Sequence, residues 1–248
     1  MANSYLFIDG GHLRRYYAES VRKWFEGEGT IDFARLKQTL GAGKSFYYDC
    51  LDDIRRAGET QAAFDSRIEQ QEAYFNKIRE VVGSHVRLGS LTGTAKNKRQ
   101  KEVDILLTVD MMNHAVRGNM STAYLLSGDR DFKPVVESLV QMGLFVEVIG
   151  DRKHTSKDLA WAADNYTGIS FDRYHEWSVE SLKKKYPINI PSLDAPPSGA
   201  NIVEIEEGVY NGAPVTLYKW QGNTEFYLHV PQFYHSNGLT LQFHDPDV

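Results

Sequence analysis

Short apolar segments alternate with longer amphipathic ones over the first two thirds of the chain. Apolar runs that favour β-strands lie at 5–8, 45–51, 85–91, 123–126 and 145–149, with a further strand near 168–171. Apolar residues at helical spacing occupy the intervals 13–25, 32–40, 61–82, 103–116, 132–142 and 157–163. Because parallel strands need crossover connections, this alternation predicts an α/β fold: a mainly parallel sheet with helices on both faces.

The amino-acid composition and the strand–helix pattern change near Pro187. Four prolines fall between 187 and 197, with serine and glycine among them, which is typical of a linker. Beyond it, segments 202–205, 215–220 and 225–230 are separated by turn signals and predict a small antiparallel β module. We therefore expect an α/β domain over 1–186, a linker over 187–199 and a β module over 200–248, which could serve substrate choice or self-association as a homo-oligomer.

Composition limits the classes of protein that the chain can form. Of its 248 residues, 42% are hydrophobic, so it can bury a sizeable core and is not a disordered chain. The net charge of -5 lacks the basic footprint of a nucleic-acid binder, so such a partner would need local basic patches or metal ions.

Targeting and cysteine signals are sparse. Cys50 is the single cysteine, which excludes an intramolecular disulfide. The N-terminal residues do not form a secretory signal, and no apolar run approaches the roughly 20 residues of a membrane-spanning helix. We expect a cytoplasmic protein with no membrane partner.

Four aspartates lie at positions that are typical of a catalytic or metal-binding site in an α/β fold. Asp9 ends the first predicted strand, and Asp129 and Asp131 follow the fourth. Asp104 opens a helix on the same face as apolar residues. Because the carboxyl ends of parallel strands meet at one edge, these carboxylates would repel one another unless a cation bound them. Mg²⁺ and Mn²⁺ favour such oxygen ligands.

Each aspartate also has a purely structural interpretation. Asp9 can serve as a turn residue before two glycines, and Asp129 can hydrogen-bond its own backbone. Asp131 can be the N-cap of the next helix, and Asp104 an ordinary first-turn residue. Taken singly, these interpretations are favoured, but their common position at strand ends favours a shared site.

Two other phosphate-related sites are excluded by sequence. A haloacid-dehalogenase-type phosphatase needs a second aspartate two positions after the first, where this chain has Gly11. The Gly10-Gly11 pair does not extend to the G-x-G-x-x-G pattern of a dinucleotide-binding loop.

Several segments resemble the NYN domain family of PIN-like nucleases. They are "FIDGGHL" (7–13), "KEVDILLTVD" (101–110), "LLSGDRDFKPVVESLVQMGLFVEVIG" (125–150) and "DLAWAADNY" (158–166), within a region of about 4–172. The S-G-D-x-D-F segment, followed by a helix and G-x-x-V-x-V, is the specific part. The resemblance implies a Rossmann-like fold and a metal-dependent endoribonuclease.

Residues of the family's acidic pocket can be carried over by position. The matching residues, implied to be catalytic and to bind Mg²⁺ or Mn²⁺, are Asp9, Asp104, Asp129 and Asp131. Asp164 matches a later aspartate, and it and Ser127 are taken as supporting residues, whereas Asp110 is interpreted as structural.

One position departs from the family. An asparagine commonly stands three residues after the first aspartate, and here that residue is His12. A histidine can contact a phosphate or a water and can carry charge near neutral pH. His12 therefore either supports substrate binding or marks a weakened site.

A basic run precedes the second motif. Lys96, Lys98, Arg99 and Lys101 lie just before Asp104. By itself such a run is typical of a solvated, mobile loop, but beside an acidic pocket it can hold the backbone of RNA. The sequence thus predicts an endoribonuclease with RNA as partner. The alternative is a catalytically weak or inactive NYN-fold RNA- or protein-binding module, and DNA as substrate stays open.

Overall fold

The computed structural model describes most of the N-terminal two thirds of the chain and four strands beyond it. The described residues are 3–24, 30–94, 97–169, 171–186, 202–210, 213–220, 226–230 and 239–243. The chain divides into two compact units, Met1–Leu182 and Lys183–Val248. The predicted linker, 187–199, lies outside the described residues.

A seven-stranded sheet forms the centre of the first unit. Its strands are β1 (Ser4–Asp9), β2 (Lys44–Cys50), β3 (Ser84–Thr94), β4 (Asn97–Lys101), β5 (Thr122–Leu126), β6 (Phe145–Asp151) and β7 (Asn165–Ile169). The spatial order is β4-β3-β2-β1-β5-β6-β7, and every neighbouring pair is parallel except β3 with β4. The predicted mainly parallel α/β sheet is therefore confirmed.

Helices connect the strands. They are α1 (Gly10–Trp24), α2 (Phe33–Thr39), α3 (Gln61–Arg79), α4 (Val103–Val116), α5 (Lys133–Gln141), α6 (Lys157–Ala162), α7 (Phe171–Glu176) and α8 (Glu180–Lys185). Asp32 caps α2, because its side chain accepts from the backbone N–H of Arg35 at 2.9 Å. Thr60 caps α3 in the same way through Ala63. α3 ends at Arg79, three residues before the predicted end.

The main apolar core lies under α4 and α5. Phe7 and Leu125 from the central strands, Val148 from β6 and Leu107 and Met111 from α4 are all fully buried there. Burial of each such side chain contributes about 1.5–3 kcal/mol. In contrast to these residues, Asp104 is exposed, because the first turn of α4 lies at the rim of the sheet rather than over its centre.

The basic run contains a strand that the sequence did not predict. Residues 97–101 pair antiparallel with β3, with Ser90 opposite Lys101 and Thr94 opposite Asn97. The mobile-loop interpretation is therefore wrong for this segment. Its sequence, NKRQK, lacks the apolar alternation of a half-buried strand, and only pairing with β3 makes it extended. Lysine-rich edge strands of this kind discourage further strand pairing.

The second unit contains an antiparallel sheet, as predicted. Its strands are β8 (Ile202–Tyr210), β9 (Ala213–Trp220), β10 (Phe226–Val230) and β11 (Leu239–Phe243), in the order β11-β10-β9-β8. The last strand was not predicted. In the part of the chain that the structure describes, the helices are too short or too polar to cross a lipid bilayer.

Candidate active site

The ends of β1 and β5 lie side by side. These strands are parallel neighbours with Ile8 opposite Leu126, so the residues that follow them are also neighbours. The buried hydroxyl of Ser127 donates to Asp9 Oδ2 at 2.9 Å and accepts from the backbone N–H of Asp129 at 3.2 Å. Ser127 thus fixes the carboxylate of one strand end relative to the loop of the other.

Asp9 also begins the first helix. Its Oδ1 accepts from the backbone N–H of His12 at 3.0 Å, so the carboxylate holds the first turn of α1. Burial raises the pKa of Asp9, and the negative charges of Asp129 and Asp49 raise it further, while the hydrogen bonds from His12 and Ser127 act in the opposite direction. Asp9 is therefore both a turn residue and a partly buried acid.

The two aspartates after β5 have different backbone roles. Asp129 caps a short 3₁₀ turn, Arg130–Phe132, by accepting from the backbone N–H of Asp131 at 3.0 Å. The structural interpretation of Asp129 is therefore correct, and it is compatible with a second role. The alternative interpretation of Asp131 as the N-cap of α5 is wrong, since Asp131 lies inside the turn and Phe132 occupies the cap position.

Asp104 interacts with the other three acids. Its pKa is raised, first because neighbouring atoms partly shield the exposed carboxylate from water and then by the negative charges of Asp9, Asp129 and Asp131. Asp9 and Asp129 follow the adjoining ends of β1 and β5, and the charges of these residues and of Asp131 act on Asp104. We call these four residues the acidic pocket.

The donor chemistry of the acidic pocket suits a hard divalent cation. Carboxylate oxygens are preferred ligands of Mg²⁺ and Mn²⁺. Among the described residues, however, no three His, Cys, Asp or Glu side chains are already spaced to hold one ion. Mg²⁺ is commonly bound by one or two carboxylates and completes its shell with water. The pocket therefore fits such an ion through a few direct ligands and intervening waters, and not as a complete cage.

The imidazole ring of His12 faces the loop after β5 and is uncharged. The backbone N–H of Gly128 donates to His12 Nδ1 at 3.2 Å, which places the ring proton on Nε2. Burial lowers the pKa of His12 to about 4, so a charged imidazole is not what this position holds at neutral pH. His12 Nε2 is buried and has no hydrogen-bond partner among the described residues. This N–H is thus a buried donor for which the described part of the chain supplies no acceptor.

A buried ion pair that the sequence did not reveal lies beside Asp9. The carboxylate of Asp49, on β2, is fully buried and accepts from Arg14 Nη2 at 2.7 Å, from the Tyr47 hydroxyl at 3.1 Å and from the backbone N–H of Cys50 at 2.8 Å. These residues meet only because β2 pairs with β1. No local motif marks them, although a charged Asp49 within a buried strand was a weak signal.

Aromatic rings adjoin the pocket on the other side. Tyr16 stacks on His154, with ring centroids 4.1 Å apart and planes 17° apart, and meets His12 edge-on at 4.6 Å. His154 Nδ1 lies 2.7 Å from Asp151 Oδ1. The loop between β6 and α6 thereby contacts α1, which sequence spacing did not indicate.

The remaining predicted residues lie elsewhere. Asp164 accepts from the backbone N–H of Val146 at 2.8 Å, at the start of β6. This is the end of the sheet where the parallel strands begin, whereas the acidic pocket lies where they end. Asp164 cannot support the pocket directly, because α6 carries the chain back to the start of the strands. Asp110 pairs with Arg87 at 3.2 Å and accepts from the Tyr48 hydroxyl, in keeping with a structural role.

The basic residues are only partly described. Lys96 lies outside the described residues, and Lys98, Arg99 and Lys101 are described through the backbone of β4 alone. β4 leads into α4 through Glu102, which has a left-handed φ of 74°. The strand is thus placed directly before the helix that carries Asp104.

These features define a Rossmann-like α/β domain with an acidic pocket at the carboxyl ends of its parallel strands. The family model of the NYN domain matches residues 3–170, and the chain belongs to the NYN domain family. Membership supports a nuclease-type function at the level of the family.

A solved structure shares the fold. The crystal structure of VPA0982 from Vibrio parahaemolyticus, described as a protein of unknown function, has a TM-score of 0.51 with this chain at 20% identity. The similarity covers 72% of this chain and 96% of the Vibrio chain. No curated protein matches the sequence.

Proposed function

We propose that the first domain is a metal-dependent endoribonuclease that hydrolyses RNA phosphodiester bonds at the acidic pocket. The observation that carries this proposal is geometric: Ser127 links the carboxylate of Asp9 to the backbone of Asp129 at the adjoining ends of β1 and β5. The negative charges of Asp9, Asp129 and Asp131 also act on Asp104. Carboxylates crowded together at the edge of a sheet destabilise one another, and a fold retains them where a cation compensates.

Mg²⁺ or Mn²⁺ is the proposed cofactor, held by the acidic pocket directly or through waters. When bound, the cation supplies Lewis-acid stabilisation of phosphate charge and lowers the pKa of a coordinated water. The protein contributes preorganisation: Ser127 and the backbone N–H of His12 each fix one oxygen of Asp9, and Asp129 is fixed by the turn that it caps.

Two groups of residues are proposed to hold the substrate. The Nε2–H of His12 is a neutral donor at the pocket, suited to a phosphate oxygen. Lys96, Lys98, Arg99 and Lys101 are proposed to neutralise backbone phosphates on the side of β4. Together they would position the strand while the acidic pocket acts on one phosphate.

The test is cleavage of total RNA and of a defined labelled RNA by purified protein. The protein is expected to cleave RNA with Mn²⁺ or Mg²⁺. Cleavage should stop in EDTA and return when the ion is restored. Asp129→Asn is expected to abolish turnover and to keep the fold, because asparagine retains the cap. Asp65→Asn, on the exposed face of α3, is the matched control and should cleave as the wild type does. Undiminished cleavage by Asp129→Asn would exclude the acidic pocket as the active site.

A non-catalytic RNA- or protein-binding module is the second candidate. The observation that favours it is the partly buried, uncharged His12, at the position where the family commonly has an asparagine. Binding of RNA without cleavage in either metal, by protein that is fully folded, would support this candidate. If the protein cleaved a matched DNA strand and not the RNA, the proposed mechanism would stand and the proposed substrate would be DNA.

A further inference from the structure

A run of exposed basic and aromatic residues follows β6. The segment 152–161, RKHTSKDLAW, carries the exposed residues Arg152, Lys153, His154, Lys157 and Trp161. We call these five residues the rim strip. Nucleic-acid-binding surfaces combine cationic side chains with aromatic faces in this manner.

Two acids lie near the rim strip. Asp151 accepts from the backbone N–H of Lys153 at 2.9 Å and lies 2.7 Å from His154 Nδ1, and it keeps its negative charge. Asp158 pairs with Arg130 at 2.8 Å. The cations Arg152, Lys153 and Lys157 therefore outnumber the remaining carboxylate and give this segment a local positive charge, although the whole chain has a net charge of -5.

The rim strip is attached directly to the loop of the acidic pocket. The backbone N–H of Ser156 donates to the carbonyl of Gly128 at 3.0 Å, one residue before Asp129. The Arg130–Asp158 ion pair joins the same loop to α6. The start of the strip therefore adjoins the acidic pocket, and α6 leads from there along the domain to Trp161.

Trp161 is the exposed aromatic residue of this surface. Its side chain is 79% exposed, which is unusual for a residue with so large an apolar area. It lies five residues after Ser156, near the end of α6, a rise of about 7.5 Å along a helix that leads away from the acidic pocket. An unpaired base a few nucleotides from the reacting one could reach its ring.

We propose that the rim strip binds the substrate as an unpaired nucleic-acid strand. Trp161 stacks on a base, while Lys153 and Lys157 contact flanking phosphates. The proposal rests on the proposed function, since it assigns the substrate class of that site. β4 lies at one edge of the sheet and the rim strip follows β6 near the other, with β1 and β5 between them. A single strand can thus cross the acidic pocket between β4, whose sequence is basic, and the rim strip, whereas the paired bases of a duplex cannot stack on Trp161.

Binding can be measured without cleavage in the Asp129→Asn protein with Mg²⁺, using a labelled single-stranded RNA and the same RNA annealed to its complement. Trp161→Ala is expected to weaken single-strand binding about tenfold or more and to change duplex binding little. Trp161→Phe should retain most of the affinity. Lys153→Ala with Lys157→Ala should lower the slope of log K against log salt by about 0.7 for each phosphate that the protein no longer neutralises.

Matched controls lie on other elements, at the end of the sheet opposite the acidic pocket. Phe145→Ala removes a half-exposed aromatic residue at the start of β6, and Arg79→Ala with Arg117→Ala removes two charges at the ends of α3 and α4. Thermal unfolding verifies that each variant is folded.

The outcomes separate the two proposals. Rim-strip variants that bind like their controls, or that lose single-strand and duplex binding equally, would overturn the rim-strip proposal while cleavage by the wild type upheld the proposed function. A parent protein that neither binds nor cleaves nucleic acid would overturn both.

Discussion

His12 Nδ1 accepts a hydrogen bond from the backbone N–H of Gly128 at 3.2 Å, which joins the first turn of α1 to the loop after β5. Because this bond requires an unprotonated nitrogen, it couples the charge state of His12 to the geometry of the acidic pocket. It also explains how a histidine can occupy the position where the family commonly has an asparagine.

Protonation of His12 is expected to destabilise the protein. Its pKa is 6.5 in the unfolded chain and about 4 in the folded protein, so between these values the unfolded state binds more protons. Stability from this group is therefore present above pH 6.5 and is lost as the pH falls toward 4. In EDTA, urea unfolding of the wild type and of His12→Asn across this range should show the wild type losing more stability. Parallel curves for the two proteins would contradict the assignment.

The Arg14–Asp49 ion pair is expected to stabilise the domain. Asp49 is fully buried, so Arg14→Ala leaves a buried carboxylate without its cation and should cost about 2–4 kcal/mol, since Arg14 itself is 41% exposed. The neighbouring Arg15→Ala is the matched control, because its pair with Glu19 is exposed and should contribute less than about 0.5 kcal/mol. Equal free energies of unfolding for the two variants would show that the buried pair contributes no more than the surface pair.

Gly128 is expected to tolerate no side chain. A Cβ there would lie 2.5 Å from the carbonyl oxygen of His154, 2.6 Å from His12 Cε1 and 3.0 Å from Thr155 Cα. Gly128→Ala should therefore displace the loop before α6, cost about 1–3 kcal/mol and reduce cleavage.

Gly43→Ala is the control for that substitution. Its Cβ would meet only the Ser4 carbonyl at an ordinary 3.6 Å, so a change within about 1 kcal/mol is expected. The measurement is chemical unfolding together with the cleavage assay. A Gly128→Ala protein as stable and active as Gly43→Ala would show that the loop adjusts without loss.

The first domain is expected to fold without the C-terminal β module. A chain ending at Tyr186 retains the whole seven-stranded sheet, since β8 begins at Ile202. It should be monodisperse and unfold cooperatively on heating. An insoluble product, or one that melts without a cooperative transition, would mean that the module is needed by the core and that 1–186 is not an independent domain.

The sequence by itself determined the architecture and part of the candidate site. Strand and helix periodicity predicted the parallel sheet, because burial on both faces imposes apolar runs and helices impose their own repeat. The position of Asp9 and Asp129 at strand ends predicted that they would be close, since parallel strands end at a common edge. Both inferences depend on local pattern, which a sequence carries directly.

Only the tertiary structure decided which neighbours these residues acquired. Pairing of β1 with β2 placed Asp49 and Arg14 beside Asp9, and the return of the chain through α6 moved Asp164 to the far edge. β4 became a strand because β3 offered unpaired backbone groups. The neutral state of His12 likewise comes from burial by residues distant in the chain. Contacts of this kind depend on how elements pack in three dimensions, and no spacing along the sequence encodes them.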